Sequence, residues 1–130
     1  MSEYSEHKAL SSYIKIRYPN VVFTSDSSGI RLSIGNAKKM IALKSDNKIP
    51  DMIILQPNEK YKALIIEIKD KDKSPYLKNG NLSTSKHIQK QNKTLEILSK
   101  LGYKAVFGVG FDECKIILDD YMKNINRDKF

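Results

Sequence analysis

The spacing of apolar residues along the 130-residue chain predicts an alternation of helices and strands. At residues 3–17 apolar side chains recur every three or four positions, which is typical of an amphipathic helix. Its inward stripe contains Leu10, Tyr13 and Ile14. Glu6 precedes Leu10 by four positions, so it falls on the inward face. An acid there either meets a buried partner or favours the dipole of the first helical turn, and the spacing leaves both open.

The next apolar runs are short and lie on either side of a polar turn. Residues 21–24 and 30–34 predict two strands around a segment rich in serine. Asn36 is then expected to cap a short basic helix at residues 37–44.

The central stretch, residues 48–69, predicts a β-hairpin. Residues 52–56 form the first apolar run, residues 57–60 the turn, and residues 61–69 the second run. The second run is apolar on both faces in its middle, which indicates a strand inside a sheet that is covered on both sides.

Charged residues collect at one end of this hairpin. Glu67 and Lys69 share a face of the second strand, and pairing across the turn brings Asp51 to the same end. Pro50 holds the approach to Asp51 rigid and extended. Charges at strand ends are usually just solvated, but two carboxylates beside a lysine are also suited to holding a divalent metal.

Residues 70–83 are polar and predict a long, exposed and mobile loop of a kind that often contacts a ligand. Tyr76 and Leu77 in this loop would either contact a base or pack the loop against the domain. The sequence favours neither interpretation.

A helix is expected to follow, capped by Thr84 or Ser85 and running to Leu101, where Gly102 ends it. Its apolar stripe contains Ile88, Leu95 and Leu98. Gln91 occupies a core-facing position of that stripe. It is either a buried amide bonded to the backbone or an amide donor that faces the same sheet end as Glu67.

Residues 103–110 predict a second buried strand, parallel to the preceding long strand because a helix connects the two. Asp112 is expected to cap a last helix at residues 113–125, and Cys114 lies on its apolar stripe, so this cysteine is assigned to the core. Residues 126–130 form a polar tail.

Composition adds a candidate partner. The chain carries 23 Lys and Arg against 15 Asp and Glu, a formal charge of +8. A basic small domain suits a polyanion such as nucleic acid, although compositional bias also produces lysine-rich surfaces. The lysines proposed to contact nucleic acid are Lys38, Lys39, Lys71, Lys73, Lys86 and Lys90.

Several classes of protein are disfavoured. No apolar run approaches the ~20 residues of a membrane span, and the polar N-terminus lacks a secretory signal, so we expect no membrane association and a cytoplasmic location. A single cysteine excludes an internal disulfide and a multi-cysteine zinc site. There is no P-loop or HExxH motif, and His7 and His87 fall at helix starts that are predicted to be exposed.

The order of these motifs resembles a known family. An acidic first helix with Glu6 is followed by Pro50-Asp51, then Glu67-Ile68-Lys69, and then the inward Gln91. This order is similar to that of the virus-type replication-repair nuclease domain (VRR-NUC), a branch of the PD-(D/E)XK, restriction-endonuclease-like superfamily. The resemblance covers nearly the whole chain and implies an α/β fold with a mixed central sheet flanked by helices. The element order expected for this chain is α-β-β-α-β-β-α-β-α.

The resemblance also implies a chemistry. Asp51, Glu67 and the Ile68 carbonyl would bind Mg²⁺ or Mn²⁺. Lys69 would orient or help deprotonate the attacking water and stabilise charge on the phosphate. Glu6 and Gln91 match the family's first-helix acid and its glutamine. One departure is the connection at residues 70–90, which is longer than the short turn expected before that glutamine.

The function that this chemistry implies is a metal-dependent DNA endonuclease. It would be a homodimer, selective for branched or Holliday-junction-like DNA, in a bacterial or phage-infected cell. The alternative is a nucleic-acid-binding module that keeps the fold and does not cut.

Overall fold

The computed structural model describes residues 3–25 and 33–125. In this part of the chain the helices are α1 (Glu3–Arg17), α2 (Ile34–Ala42), α3 (Lys86–Lys100) and α4 (Gly110–Lys123). The strands are β1 (Phe23–Ser25), β2 (Met52–Ile54), β3 (Leu64–Lys69) and β4 (Lys104–Val109). None of these helices has the length and apolar character needed to cross a membrane.

The four strands form one mixed sheet in the order β1-β2-β3-β4. β2 pairs antiparallel with both β1 and β3, whereas β4 pairs parallel with β3 across the connection that contains α3. Both the central hairpin and the parallel pair agree with the sequence prediction. The mixed sheet flanked by helices also agrees with the predicted fold class.

Both faces of β3 are buried, as its apolar pattern predicts. Leu64, Ile66 and Ile68 pack with residues of α1 and α4 on one face of the sheet. Ile65 packs on the other face with Leu95 of α3 and with two residues of β4. Because β3 lies between two layers of helix, its polar end can be enclosed from both sides.

The segment before the hairpin differs from its prediction. α2 begins at Ile34 because the Ser33 hydroxyl accepts a hydrogen bond from the Asn36 N–H, so Asn36 is not the cap. Ile34 is therefore helical and does not end a strand. Residues 30–32 of the predicted strand lie outside the described residues.

The start of α4 also differs. The helix begins at Gly110, whose φ of +81° allows the chain to turn directly out of β4. Glu113 accepts a hydrogen bond from the Val109 N–H at 2.6 Å, while Asp112 lies inside the first turn and does not cap it. Cys114 is fully buried, as predicted. Residues 126–130, the predicted tail, lie outside the described residues.

Residues 70–83, predicted to be an exposed loop, contain a small hairpin. Tyr76 and Leu82 form an antiparallel bridge, and Pro75 is fully buried. The Tyr76 ring contacts the edge of the Phe107 ring at a centroid distance of 6.3 Å, so this tyrosine packs the segment against the sheet. The mobility of the segment stays a prediction.

Gly108 on β4 lies where the sheet meets α4 most closely. A Cβ at this position would overlap the Cys114 sulfur and lie 2.9 Å from Ile66 Cγ2. We expect Gly108→Ala to lower the free energy of unfolding by about 1–3 kcal/mol through overpacking. Urea denaturation would measure this change.

Two further variants complete that test. Gly108→Ala combined with Cys114→Ala is expected to cost less than the sum of the two single changes, because removal of the sulfur makes room for the methyl group. Gly35→Ala, with nothing within 4 Å of the added carbon, serves as the control. If Gly108→Ala and wild type had the same midpoint of urea unfolding, this account of the packing would be contradicted.

Candidate active site

Two buried carboxylates meet at the end of the β2–β3 ladder. Met52 pairs with Ile66, and the same register continued by one residue places Asp51 directly opposite Glu67. Asp51 is 3% exposed and Glu67 is 5% exposed. Like charges opposite each other on neighbouring strands repel, so this pair requires a proton or a cation between its members.

The surroundings of Asp51 favour its charged form. Its Oδ2 accepts a hydrogen bond from the Ile68 N–H at 2.9 Å and lies 3.6 Å from Nε2 of His7. Burial alone would raise the pKa of Asp51, but its interactions with His7, Glu67 and the Ile68 N–H hold the pKa below its ordinary value. Asp51 is thus the member of the pair that keeps the negative charge.

Glu67 is the member that holds a proton. Burial, followed by the charge and hydrogen bonding of Asp51, raises the pKa of Glu67 to about 8, although Lys69 and Lys48 act in the opposite direction. Gln91 Nε2 donates a hydrogen bond to Glu67 Oε1 at 2.9 Å. Gln91 therefore reaches the sheet end as an amide donor, and the long connection before it does not prevent this contact.

Glu6 lies on the other face of the sheet. It is 2% exposed, and its Oε2 forms no hydrogen bond within the described part of the chain. Burial and the charges of Glu113, Glu6 and Asp51 together raise the pKa of the Cys114 thiol to about 12, so the Glu6 carboxylate acts on Cys114 of α4. Glu6 is thus turned inward as its spacing predicts. A buried carboxylate oxygen without a partner is costly.

His7 is a residue of this site that the sequence pattern did not predict. It was expected on an exposed helix start, but its side chain is 12% exposed and approaches Asp51. Its Nδ1 lies 3.2 Å from the Ser25 hydroxyl on β1, so the imidazole connects α1, β1 and the start of β2. The one feature of the sequence that pointed to His7 is its position directly after the inward-facing Glu6. His87 is exposed, as predicted.

The lysines predicted to act in the site or on DNA differ in their exposure to solvent. Lys69 is half-buried at the end of β3, on the face of Glu67. The six lysines proposed to contact nucleic acid, Lys38, Lys39, Lys71, Lys73, Lys86 and Lys90, are all exposed. Lys90 also lines a cavity beside Glu67, together with Lys48. Lys48 was not singled out from the sequence, because no periodicity marks a residue in an irregular segment.

The donor set at the paired carboxylates fits a hard divalent cation. Asp51 and Glu67 supply carboxylate oxygens. The paired residues of β2 and β3 end at Met52 and Ile66, and the same register extended by two residues would set Pro50, which has no N–H to donate, opposite Ile68. In the described ranges no group of three or more His, Cys, Asp or Glu side chains is arranged to hold a metal. A cation here would therefore also need backbone and water oxygens, as Mg²⁺ usually does.

Comparison with known proteins supports the fold. No family model matches the chain, and no curated protein matches it. A solved structure described as a VRR_NUC domain protein matches 97% of this chain and 92% of its own, with a TM-score of 0.66 and 21% sequence identity. The chain shares the fold of that protein over nearly its whole length, which confirms the predicted resemblance.

Replacement of His7 by Phe would test the contact with Asp51. Phe fills a similar volume but cannot interact with the carboxylate. Burial raises the pKa of Asp51 and His7 lowers it, so the pKa should rise when His7 is removed. Carboxyl ¹³C NMR titration of the metal-free protein would follow this change. Tyr4→Phe, a change on the exposed side of the same helix, is the control. An unchanged Asp51 titration in His7→Phe would show that the imidazole does not stabilise the carboxylate.

Proposed function

We propose that this protein is a metal-dependent DNA endonuclease that hydrolyses phosphodiester bonds. The observation that carries the proposal is the burial of Asp51 opposite Glu67, with Gln91 bonded to Glu67 and Lys69 on the same strand end. A pair of facing carboxylates that repel each other would be stabilised by a divalent cation. The shared fold with a VRR_NUC domain protein supports a nuclease-type domain.

Each residue would have a defined part in the reaction. Asp51, Glu67 and the Ile68 carbonyl would hold Mg²⁺ or Mn²⁺, which supplies Lewis-acid stabilisation of phosphoryl oxygens and an activated water near neutral pH. Asp51 keeps its carboxylate charged and oriented through the Ile68 N–H. Glu67 would hold the cation as a carboxylate, so it would have to give up its proton.

The neighbouring side chains would complete the site. The Lys69 ammonium would orient the attacking water and stabilise negative charge on the phosphate. Gln91 would fix the rotamer of Glu67 through its amide. Glu6, whose Oε2 has no hydrogen-bond partner in the described part of the chain, would accept a hydrogen bond from water in the loaded site.

DNA is the substrate that the charge supports. The chain carries a formal charge of +8, and its exposed lysines would neutralise backbone phosphates. Structure-selective cleavage of branched or Holliday-junction-like DNA by a homodimer is the finer form of the proposal, because a two-fold symmetric enzyme suits a symmetric junction. A monomer by light scattering, with and without junction DNA, would contradict this finer form.

A cleavage assay tests the proposal directly. Purified protein is incubated with supercoiled, branched and single-stranded DNA in Mg²⁺, Mn²⁺ or EDTA. We expect cleavage in the metal lanes and none in EDTA. Binding in every lane with cleavage in none, in both wild type and Glu67→Gln, would instead support a nucleic-acid-binding module that keeps the fold and does not cut.

A further inference from the structure

A small cavity beside Glu67 combines basic side chains with limited space. It has a volume of about 140 Å³ and lies between the irregular segment before β2 and the first turns of α3. Lys48, His87 and Lys90 line it together with Glu67 and Gln91. Neither Lys48 nor His87 has a function that the sequence pattern predicts.

The charge of this cavity favours an anion. Two lysines and a histidine face one carboxylate, so basic groups outnumber acidic groups. Lys48 is near enough for its charge to lower the pKa of Glu67, which places the ammonium within Coulombic range of the cavity floor. Lys48, His87 and Lys90 are all exposed, so their polar ends can rearrange around a ligand.

The size of the cavity restricts what enters it. Its volume is well above the ~10–15 Å³ that one water molecule needs, so it can hold a larger group. It is also below the ~300 Å³ that pockets for whole small-molecule ligands usually reach. A phosphate group with its oxygens is of a size that fits this space.

The position of the cavity relative to the two carboxylates indicates which phosphate it would hold. Asp51 lines a separate cavity of about 250 Å³ on the α2 side, which includes Ser25 and Lys44, and Pro50 borders both cavities. A scissile phosphate would lie at Asp51 and Glu67, between the two. The basic cavity lies to one side of that point, towards α3.

We propose that Lys48, His87 and Lys90 form a subsite for the backbone phosphate next to the scissile one. This inference rests on the proposed function. The subsite positions the DNA strand and reads no base, because phosphate contacts carry no sequence information. The enzyme would accordingly require an intact phosphodiester on one side of the cut.

Inorganic phosphate tests the subsite without any cleavage. The probe is titrated into the EDTA-treated full chain and followed by ¹H–¹⁵N NMR. We expect shifts at Lys48, His87 and Gln91 with a dissociation constant on the order of millimolar. Affinity should fall at least tenfold in Lys48→Gln/His87→Asn and stay unchanged in Lys60→Gln, a lysine in the turn at the far end of the hairpin. Shifts spread over the surface lysines, and equal in all variants, would overturn the subsite.

DNA carrying one neutral methylphosphonate, moved stepwise around the cut, tests the position of the subsite. Binding is measured by fluorescence anisotropy in EDTA. One position should weaken wild-type binding about three- to tenfold and have no further effect in Lys48→Gln/His87→Asn. Lys48→Gln should also reduce the slope of log K against log salt by about one relative to Lys60→Gln.

The outcomes separate the subsite from the proposed function. Wild-type cleavage together with a Lys48→Gln variant that behaves like Lys60→Gln would overturn the subsite and leave the nuclease proposal standing. Loss of the position-specific effect in the variant, without cleavage in any metal, would show that the cavity binds one backbone phosphate and would contradict the nuclease proposal.

Discussion

Glu67→Gln is expected to abolish DNA cleavage and, at the same time, to stabilise the metal-free protein at alkaline pH. Loss of a cation ligand removes several kcal/mol of transition-state stabilisation, which corresponds to a rate reduction of about 10³-fold or more. The same substitution removes a carboxylate that burial and Asp51 make costly to ionise. A substitution that raises stability and removes activity is typical of a residue in a functional site.

The sign of the stability effect follows from the raised pKa. Folding raises the pKa of Glu67 from 4.5 to about 8, so between these values the folded state binds more protons than the unfolded state. The contribution of Glu67 to stability is therefore full below about pH 4.5 and is lost as the pH rises through about 8. Glutamine stays neutral throughout, so the variant escapes this loss, which amounts to a few kcal/mol.

Urea denaturation between pH 5 and 9, with cleavage assays in parallel, measures both effects. Wild type should lose stability across this interval more steeply than Glu67→Gln. Glu59→Gln, an exposed change in the turn of the hairpin, is the matched control and should resemble wild type in both measurements. Cleavage at the wild-type rate by Glu67→Gln would refute the role of this carboxylate. If the free energy of unfolding of wild type and of Glu67→Gln depended on pH in the same way, Glu67 would not be buried in its protonated form.

Metal binding is expected to release a proton from Glu67. With a pKa of about 8, Glu67 is mostly protonated at pH 7, and a bound cation requires the carboxylate form. Binding of Mn²⁺ at pH 7 should therefore release about 0.9 proton, falling towards zero above pH 9. The apparent affinity should rise about tenfold per pH unit below pH 8 and level off above it.

Isothermal titration calorimetry in two buffers of different ionisation enthalpy measures this release, because the observed heat then depends on the buffer in proportion to the protons exchanged. Glu59→Gln should release the same number of protons as wild type. Cleavage at limiting Mn²⁺ should show the same rise with pH up to about 8. Binding that is independent of both pH and buffer would contradict the release of a proton from Glu67.

The hairpin and the inward polar residues could be predicted because they depend on local spacing. The period of two in a strand and of 3.6 in a helix determines which side chains face the core. This spacing was enough to predict that Glu6 and Gln91 face inward. Ser85 and Gly102 bound α3 as predicted because capping and the left-handed conformation are local properties. The start of α2 was misplaced because Ser33 and Asn36 are both good caps, and their local sequence does not rank them.

What the sequence by itself determined is the identity of the polar residues that must be enclosed: Glu6, Asp51, Glu67 and Gln91. Only the tertiary structure decided their relations. The register of β2 on β3 sets Asp51 against Glu67, so that one keeps its charge and the other a proton. The packing of α1 on the sheet brings His7 to Asp51, and the position of α3 next to the segment before β2 forms a basic cavity with Lys48. These contacts join residues far apart in the chain, and no local periodicity specifies them.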